Sequence, residues 1–419
     1  MSSKTYFPAV EDIQKASGVL DEILEKTPLQ RNTNLSDIYG ADVYLKREDL
    51  QMVRSYKIRG AYNKIRSIAP EILKYGIVCA SAGNHAQGVA FSCNKLQIMG
   101  SIYMPVTTPK QKIEQVRMFG KEYIDIVLIG DTFDAANTAA IDYAKKSGKT
   151  FIPPFDDEKI IEGQGTIGYE ILSQCKSAPD YIFVPIGGGG LASGVGAYIR
   201  QMSPGTKIIG VEPAGAPCMK AAIDKGEVVE LESIDKFIDG AAVKKAGKLT
   251  YEICKEVLDD IITVPEGAVC TSIIKLYNKS AIVVEPAGAL AIAALKFYSE
   301  QIKGKKAVCI VSGSNNDITR MEEIREKSLL YEGLKHYFIV NFPQRGGAVL
   351  SFIRDVIGPT DDLVYIQYIR KTNKEEGPAL IGIEVAAKDD FKALLRRMDA
   401  HNITYEYINE NNKLFEILI

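Results

Sequence analysis

Six short apolar runs recur along the first three quarters of this 419-residue chain, most of them followed by glycine or polar residues and then by a stretch of helical periodicity. The runs "IVCAS" (77–81), "SIYMP" (101–105), "YIDIVLI" (123–129), "YIFVPI" (181–186), "KIIGVE" (207–212) and "KAVCIVS" (306–312) are almost uninterrupted in hydrophobicity. Runs of this kind suit strands covered on both faces, whereas a half-solvated strand would alternate. Between them lie "NHAQGVAFSCNKL", "TFDAANTAAIDYAKK" and "PAGALAIAALKFYSE", whose apolar residues follow helical spacing. The pattern predicts an open α/β fold with a mainly parallel sheet or two. In such folds ligands bind beyond the carboxyl ends of the strands, so strand-to-loop junctions are where chemistry should lie.

After about residue 330 the pattern changes. "KHYFIVNFPQ" reads as a strand, "GGAVLSFIRDVIG" as an amphipathic helix, "DLVYIQYIR" and "PALIGIEVAA" as two strands, "KDDFKALLRRMDAHN" as a helix and "KLFEILI" as a last strand. The order βαββαβ is the ferredoxin-like unit.

The charge balance narrows the partners. Lys and Arg number 51 against 53 Asp and Glu, a net charge of -2, which removes the electrostatic case for nucleic acid or an anionic membrane and favours small solutes. The N-terminus lacks an apolar signal core and no run is long enough to span a bilayer, so the expected location is cytoplasmic. Seven scattered cysteines without C-x-x-C spacing suit neither a disulfide framework nor a zinc site and read as reduced, buried filler.

Four junctions carry candidate chemistry. In "RSYKIRG" (54–60) Lys57 falls in the first turn of a helix with Ser55 as its N-cap, between Arg54 and Arg59. Neighbouring cations, partial burial and the positive end of the helix dipole all favour a neutral, nucleophilic amine, although a basic cluster can equally be a solvated face. In "PIGGGGLASG" (185–194) four glycines between a strand and a helix let backbone amides approach an anion, and a phosphate is the expected guest. Gly187, Gly189 and Ala192 also satisfy the dinucleotide pattern, with Glu212 placed as a ribose-binding acid, so a nicotinamide-dependent dehydrogenase is an alternative. The Walker pattern fails, because Tyr143 stands where "SGKT" would require an upstream glycine. "SAGNHAQG" (81–88) offers Asn84, His85 and Gln87 at a helix start as a carboxylate cradle, with His85 read as a structural residue. "VSGSNND" (311–317) presents Ser312, a neutral hydrogen-bonding group that could equally be a cap.

Together S-Y-K-x-R-G-A (55–61), S-A-G-N-H-A-Q-G (81–88), G-G-G-G-L (187–191), E-P-A-G-A (285–289) and S-G-S-N (312–315), in this order and at these distances, resemble the pyridoxal-phosphate enzymes of the tryptophan synthase β fold type, and among them the threonine ammonia-lyases. The tail with "FPQRGGAVLSFI" is similar to the ACT-like regulatory domain of the biosynthetic, isoleucine-inhibited form, present once; catabolic serine and threonine dehydratases lack it. The resemblance implies a fold-type II catalytic part at 1–330, with a small subdomain at roughly 50–155 inserted in the large one, and an ACT-like part at 331–419.

It further implies that Lys57 forms the Schiff base with pyridoxal 5'-phosphate and acts as the base at Cα. Asn84 would bond the ring hydroxyl, Gly187, Gly188, Gly189, Gly190 and Leu191 would hold the phosphate, and Ser312 would face the ring nitrogen. L-threonine, with L-serine as a second candidate, would be deaminated. Isoleucine, with valine as a second candidate, would act on the tail of a homo-tetramer. Serine-racemase relatives bind a divalent cation through an acid six residues after a glutamate matching Glu212, and Cys218 stands there, so no metal is expected.

Overall fold

The computed structural model describes residues 6–370, 374–411 and 414–415. It divides into two units, Met1–Asp317 and Ile318–Ile419. The first contains strands Leu29–Arg31 (β1), Asp42–Arg47 (β2), Ile77–Ala80 (β3), Gly100–Met104 (β4), Ile124–Leu128 (β5), Thr150–Phe151 (β6), Tyr181–Pro185 (β7), Lys207–Pro213 (β8), Asp260–Val264 (β9) and Lys306–Val311 (β10). Six form a sheet in the order β1-β2-β10-β7-β8-β9 and four a smaller sheet in the order β5-β4-β3-β6. All pairs are parallel except β1 with β2.

Burial follows the apolar runs. Every residue of β3, β4 and β7 is buried, as expected for strands covered on both faces. β5 departs from that expectation: it pairs only with β4 at the sheet edge, and none of its residues is fully buried. Among the described residues no helix is long and apolar enough to cross a membrane.

Two glycine contacts set how closely the central helices cross. A Cβ on Gly163, in the helix Glu158–Gln174, would lie 2.7 Å from both the Arg59 carbonyl oxygen and the Gly60 Cα of the helix Lys57–Arg66. A Cβ on Gly194, in the helix Gly190–Met202, would lie 2.3 Å from the Ile161 carbonyl oxygen. Backbone thus lies on backbone, and one rigid helix positions the helix starts that follow Tyr56 and Gly189.

A buried ion cluster pins the same region. Arg59 donates to Glu48 at 2.8 Å and to Glu170 at 2.7 Å, Lys46 reaches Glu170 at 2.5 Å, and Thr166 accepts from Arg59 at 3.0 Å. Arg59, Lys46 and Glu48 are each at most 1% exposed. Such a cluster holds because every charge is paired, and removing one member leaves another uncompensated.

The second unit has strands Lys335–Pro343 (β11), Asp362–Tyr368 (β12), Glu376–Glu384 (β13) and Thr404–Tyr407 (β14), in the antiparallel order β12-β13-β11-β14. Helices Ala348–Val356 and Asp390–Ala400 bury Phe352, Val356, Leu394 and Met398 against Phe338, Val340, Phe342 and Ile381 of the sheet. This is the expected βαββαβ order, with one change in sequence position. The closing strand is Thr404–Tyr407, where Tyr405 and Tyr407 turn inward on alternate positions. The strand predicted at 413–419 lies, apart from Leu414 and Phe415, outside the described residues.

Candidate active site

Lys57 is the first residue of its helix, but the N-cap is Tyr56 and not Ser55. Ser55 is drawn into a β-bridge with Gly313, and its buried hydroxyl finds no partner among the described residues. The bridge belongs to a seam that splices 53–56 to 312–315. Tyr56 N donates to Ser312 O at 3.1 Å, Ser314 N to Arg54 O at 2.9 Å and Asn315 Nδ2 to Val53 O at 2.9 Å. Arg54 adopts a left-handed φ of 58° to make this turn.

The Lys57 amine donates to the Pro154 carbonyl at 3.0 Å. Burial pushes its pKa down to about 8, opposed by the nearby Glu285 carboxylate. The cause differs from the sequence expectation. Arg54 is exposed and Arg59 is neutralised by two glutamates, so loss of hydration, not repulsion among cations, discharges the amine.

Beyond β7 the glycine run forms a one-sided loop. The Gly187 carbonyl accepts from Cys218 Sγ at 3.4 Å, the Gly188 carbonyl from Thr250 Oγ1 at 2.6 Å, and the Gly189 carbonyl from Ser193 N at 2.9 Å and Cys254 Sγ at 3.8 Å. In a trans peptide the following N–H points away from the carbonyl, so the amides of Gly188, Gly189 and Gly190 face the opposite side. No described residue accepts the amides of Gly187 to Leu191. Five free donors at the start of a 13-residue helix, three of them on one side, could cradle an anion, to which the helix dipole would add. Glycine is required on the far side as well: a Cβ on Gly188 would lie 2.3 Å from the Phe155 ring, and Gly189 has φ of 94°. Phe155 follows Pro154, the acceptor of the Lys57 amine, so one segment touches both the lysine and the loop. Two of the cysteines expected as filler therefore brace this loop.

Asn84 opens the helix Asn84–Leu96 and joins a small polar network. Its Nδ2 donates to Glu285 Oε1 at 2.7 Å, and its Oδ1 accepts from Asn315 Nδ2 at 2.7 Å. Glu285 Oε2 also accepts the Asn315 amide at 3.2 Å. Burial and the Asp239 carboxylate raise the Glu285 carboxyl to about 7. Ser312 is buried at the seam beside Lys57, and its hydroxyl makes no hydrogen bond to the described residues. His85 is a structural residue as expected: its Nε2 meets the Ile152 carbonyl at 3.0 Å, and burial with the nearby Lys57 lowers its pKa to about 3.

Glu212 is not presented to a ribose. Both its oxygens accept the amides of Met219 and Lys220 at 2.8 Å, capping the helix Cys218–Lys225. That disposes of the acid on which the dinucleotide alternative relied. Among the described residues no group of three or more His, Cys, Asp or Glu is placed to hold a metal ion.

An amine of lowered pKa and an amide cradle joined by the 154–155 segment suit an aldehyde that carries a phosphate. The family model for pyridoxal-phosphate dependent enzymes matches residues 20–313, and that for the C-terminal regulatory domain of threonine dehydratase matches 326–418. The biosynthetic L-threonine dehydratase of Halalkalibacterium halodurans is 57% identical over 98% of this chain and 99% of its own length. The chain belongs to the biosynthetic threonine dehydratase family. The Bacillus subtilis member is 53% identical over 98% of this chain and 97% of its own length. Among solved structures, the processed form of threonine deaminase isoform 2 from Solanum lycopersicum superposes with a TM-score of 0.73 at 39% identity, over 78% of this chain and 96% of that one. The fold is thus that of the pyridoxal-phosphate enzymes with a C-terminal regulatory domain, as expected, and pyridoxal phosphate is the family's cofactor.

Glu285, Asn315, Phe155 and Thr250 had no role in the sequence reading. Glu285 and Asn315 stand within two motifs that carried the resemblance, which was a usable signal. Phe155 and Thr250 show none, since their contacts to the loop exist only in three dimensions.

Proposed function

We propose that this chain converts L-threonine to 2-oxobutanoate and ammonia, losing water from Cα and Cβ and taking it back as the enamine product hydrolyses. The observation that carries this is a Lys57 amine with its pKa near 8 and, at a helix start, five amides without a partner among the described residues, both touched by the 154–155 segment. The full-length identity to a biosynthetic threonine dehydratase supports threonine as substrate.

The residues divide the work. Lys57 would hold the cofactor aldehyde covalently and, as a neutral amine when displaced by the substrate amine, would accept the Cα proton. When bound, pyridoxal phosphate supplies a conjugated ring that accepts the electrons left at Cα. The amides of Gly187, Gly188, Gly189, Gly190 and Leu191 would hold its phosphate, Asn84 would donate to its ring hydroxyl, and the Ser312 hydroxyl, uncommitted among the described residues, would serve its ring nitrogen. A neutral serine there leaves the ring a moderate electron acceptor, which suits prompt elimination more than transamination.

The match of the tail to a threonine dehydratase regulatory domain supports feedback inhibition by isoleucine. We extend this to a cytoplasmic homo-tetramer, since such tails act through subunit pairing. A steady-state assay of 2-oxobutanoate release from threonine, with serine and isoleucine as comparisons, tests the proposal. Turnover of threonine that isoleucine suppresses is expected, and a holoenzyme that releases no 2-oxobutanoate refutes it. Serine should also react, because one methyl distinguishes the substrates by only about 1–3 kcal/mol.

A further inference from the structure

Glu285 is a buried carboxylate to which the mechanism above gives no task. It occupies the N-cap position of the helix Pro286–Ala294 yet makes no capping bond with its side chain. The carboxylate instead reaches Asn84, 201 residues away in sequence, and is 4% exposed. The pocket that receives it is tight, since a Cβ on Gly313 would lie 2.6 Å from its Oε1 and one on Gly240 would lie 3.3 Å away.

The hydrogen-bond inventory fixes which way each amide faces. Asn315 spends both N–H bonds of its side chain, one on the Val53 carbonyl and one on Asn84 Oδ1. A carbonyl can only accept, so the Asn315 amide cannot be turned over, and Asn84 must present its oxygen to Asn315 and its nitrogen to Glu285. One N–H of Asn84 goes to Glu285, and the second remains. Charged groups surround the site from several elements. Lys57 and Tyr56 come from the helix Lys57–Arg66 and its cap, Asp239 from the 231–247 segment, and Lys112 from the helix Lys110–Gly120, where it pairs with Asp239 at 2.5 Å.

We propose that Glu285 is a positioning residue: together with Asn315 it anchors Asn84 in the orientation that leaves an N–H to donate to the cofactor's ring oxygen, and it places a negative charge near the Lys57 amine. The inference rests on the proposed function, because it needs the cofactor at Lys57. A glutamine at 285 keeps the shape and can still accept from Asn84, whose oxygen stays committed to Asn315, but it replaces a charge-assisted hydrogen bond by a neutral one and removes the charge that favours the lysine ammonium.

The test compares wild type, Glu285→Gln and Glu285→Asp, each stripped of cofactor and then titrated with pyridoxal phosphate. Two readouts are independent of turnover: the dissociation constant, and the pH midpoint for borohydride-trapped adduct at Lys57, quantified by peptide mass spectrometry. Glu285→Gln should bind about tenfold more weakly, the order expected for one charge-assisted hydrogen bond. Its midpoint should move to lower pH, because an anion favouring the charged amine is gone. Glu285→Asp, which keeps the charge and remains testable if the amide variant folds poorly, should retain the wild-type midpoint. Wild-type affinity and midpoint in Glu285→Gln, with adduct forming normally in wild type, overturn this inference alone. Absence of the Lys57 adduct in wild type overturns the proposed function and this inference with it.

Discussion

Replacing Arg59 by leucine should cost more stability than any other single change near the active site, and the cost should depend on pH. The wild-type cluster is balanced, with Lys46 and Arg59 against Glu48 and Glu170, all buried. Leucine leaves two carboxylates sharing Lys46, hence one uncompensated charge, for which truncating a buried pair typically costs about 3–5 kcal/mol. Burial pushes the Glu48 carboxyl up, but Arg59 together with Lys46 and the Thr27 hydroxyl outweighs it and holds the group below its ordinary value. A carboxylate depressed in the folded state contributes stability above its unfolded pKa and loses it as pH falls through the folded one. In the variant burial acts with less opposition, so a carboxyl protonates at higher pH and relieves the excess charge. The difference from wild type should therefore be largest at neutral pH and shrink in mild acid. Urea midpoints at pH 7.5 and about pH 5, followed by circular dichroism, measure it. Equal midpoints at neutral pH, or a gap that widens in acid, would refute the reasoning.

Other outcomes follow from the same geometry. Gly188→Ala drives a Cβ into the Phe155 ring at 2.3 Å, an overpacking worth about 1–3 kcal/mol, and should weaken pyridoxal phosphate binding measured by absorbance titration. Thr250→Val removes the hydroxyl that holds the Gly188 carbonyl and should also lower cofactor affinity, with little change in the melting temperature of the protein stripped of cofactor. The initial rate at which stripped protein takes up cofactor at Lys57 should rise with pH toward a plateau above about 8, since the neutral amine is the reactive form; a flat profile counts against the buried lysine. A chain ended at Asp317, where the first unit ends, should deaminate threonine without responding to isoleucine. Equal inhibition of both forms would place the effector site in the first unit.

The sheet-forming runs and the strand-to-helix junctions were legible because both depend on local composition. Continuous apolar runs marked β3, β4 and β7 as covered on both faces, and β5 was misread because an edge position depends on pairing order, which hydrophobicity does not encode. The closing strand among the described residues is Thr404–Tyr407 and not the more continuously apolar "KLFEILI", because only pairing with β11 shows that Tyr405 and Tyr407, alternating with Glu406, face the sheet core. At the site, lysine and glycine loop could be read as chemistry from their residue types. What discharges the lysine could not, since it takes the fold to show Arg59 consumed by Glu48 and Glu170. Likewise Glu285 meets Asn84 only through a crossing of distant segments.

The central claim is that the amine of Lys57 carries the cofactor. Borohydride reduction of the fully loaded enzyme, followed by digestion and peptide mass spectrometry, tests it most directly. A stable pyridoxyl-phosphate mass is expected on the peptide containing Lys57 and on no other lysine, with loss of the yellow colour. An unmodified Lys57 peptide from reduced, loaded enzyme would contradict it.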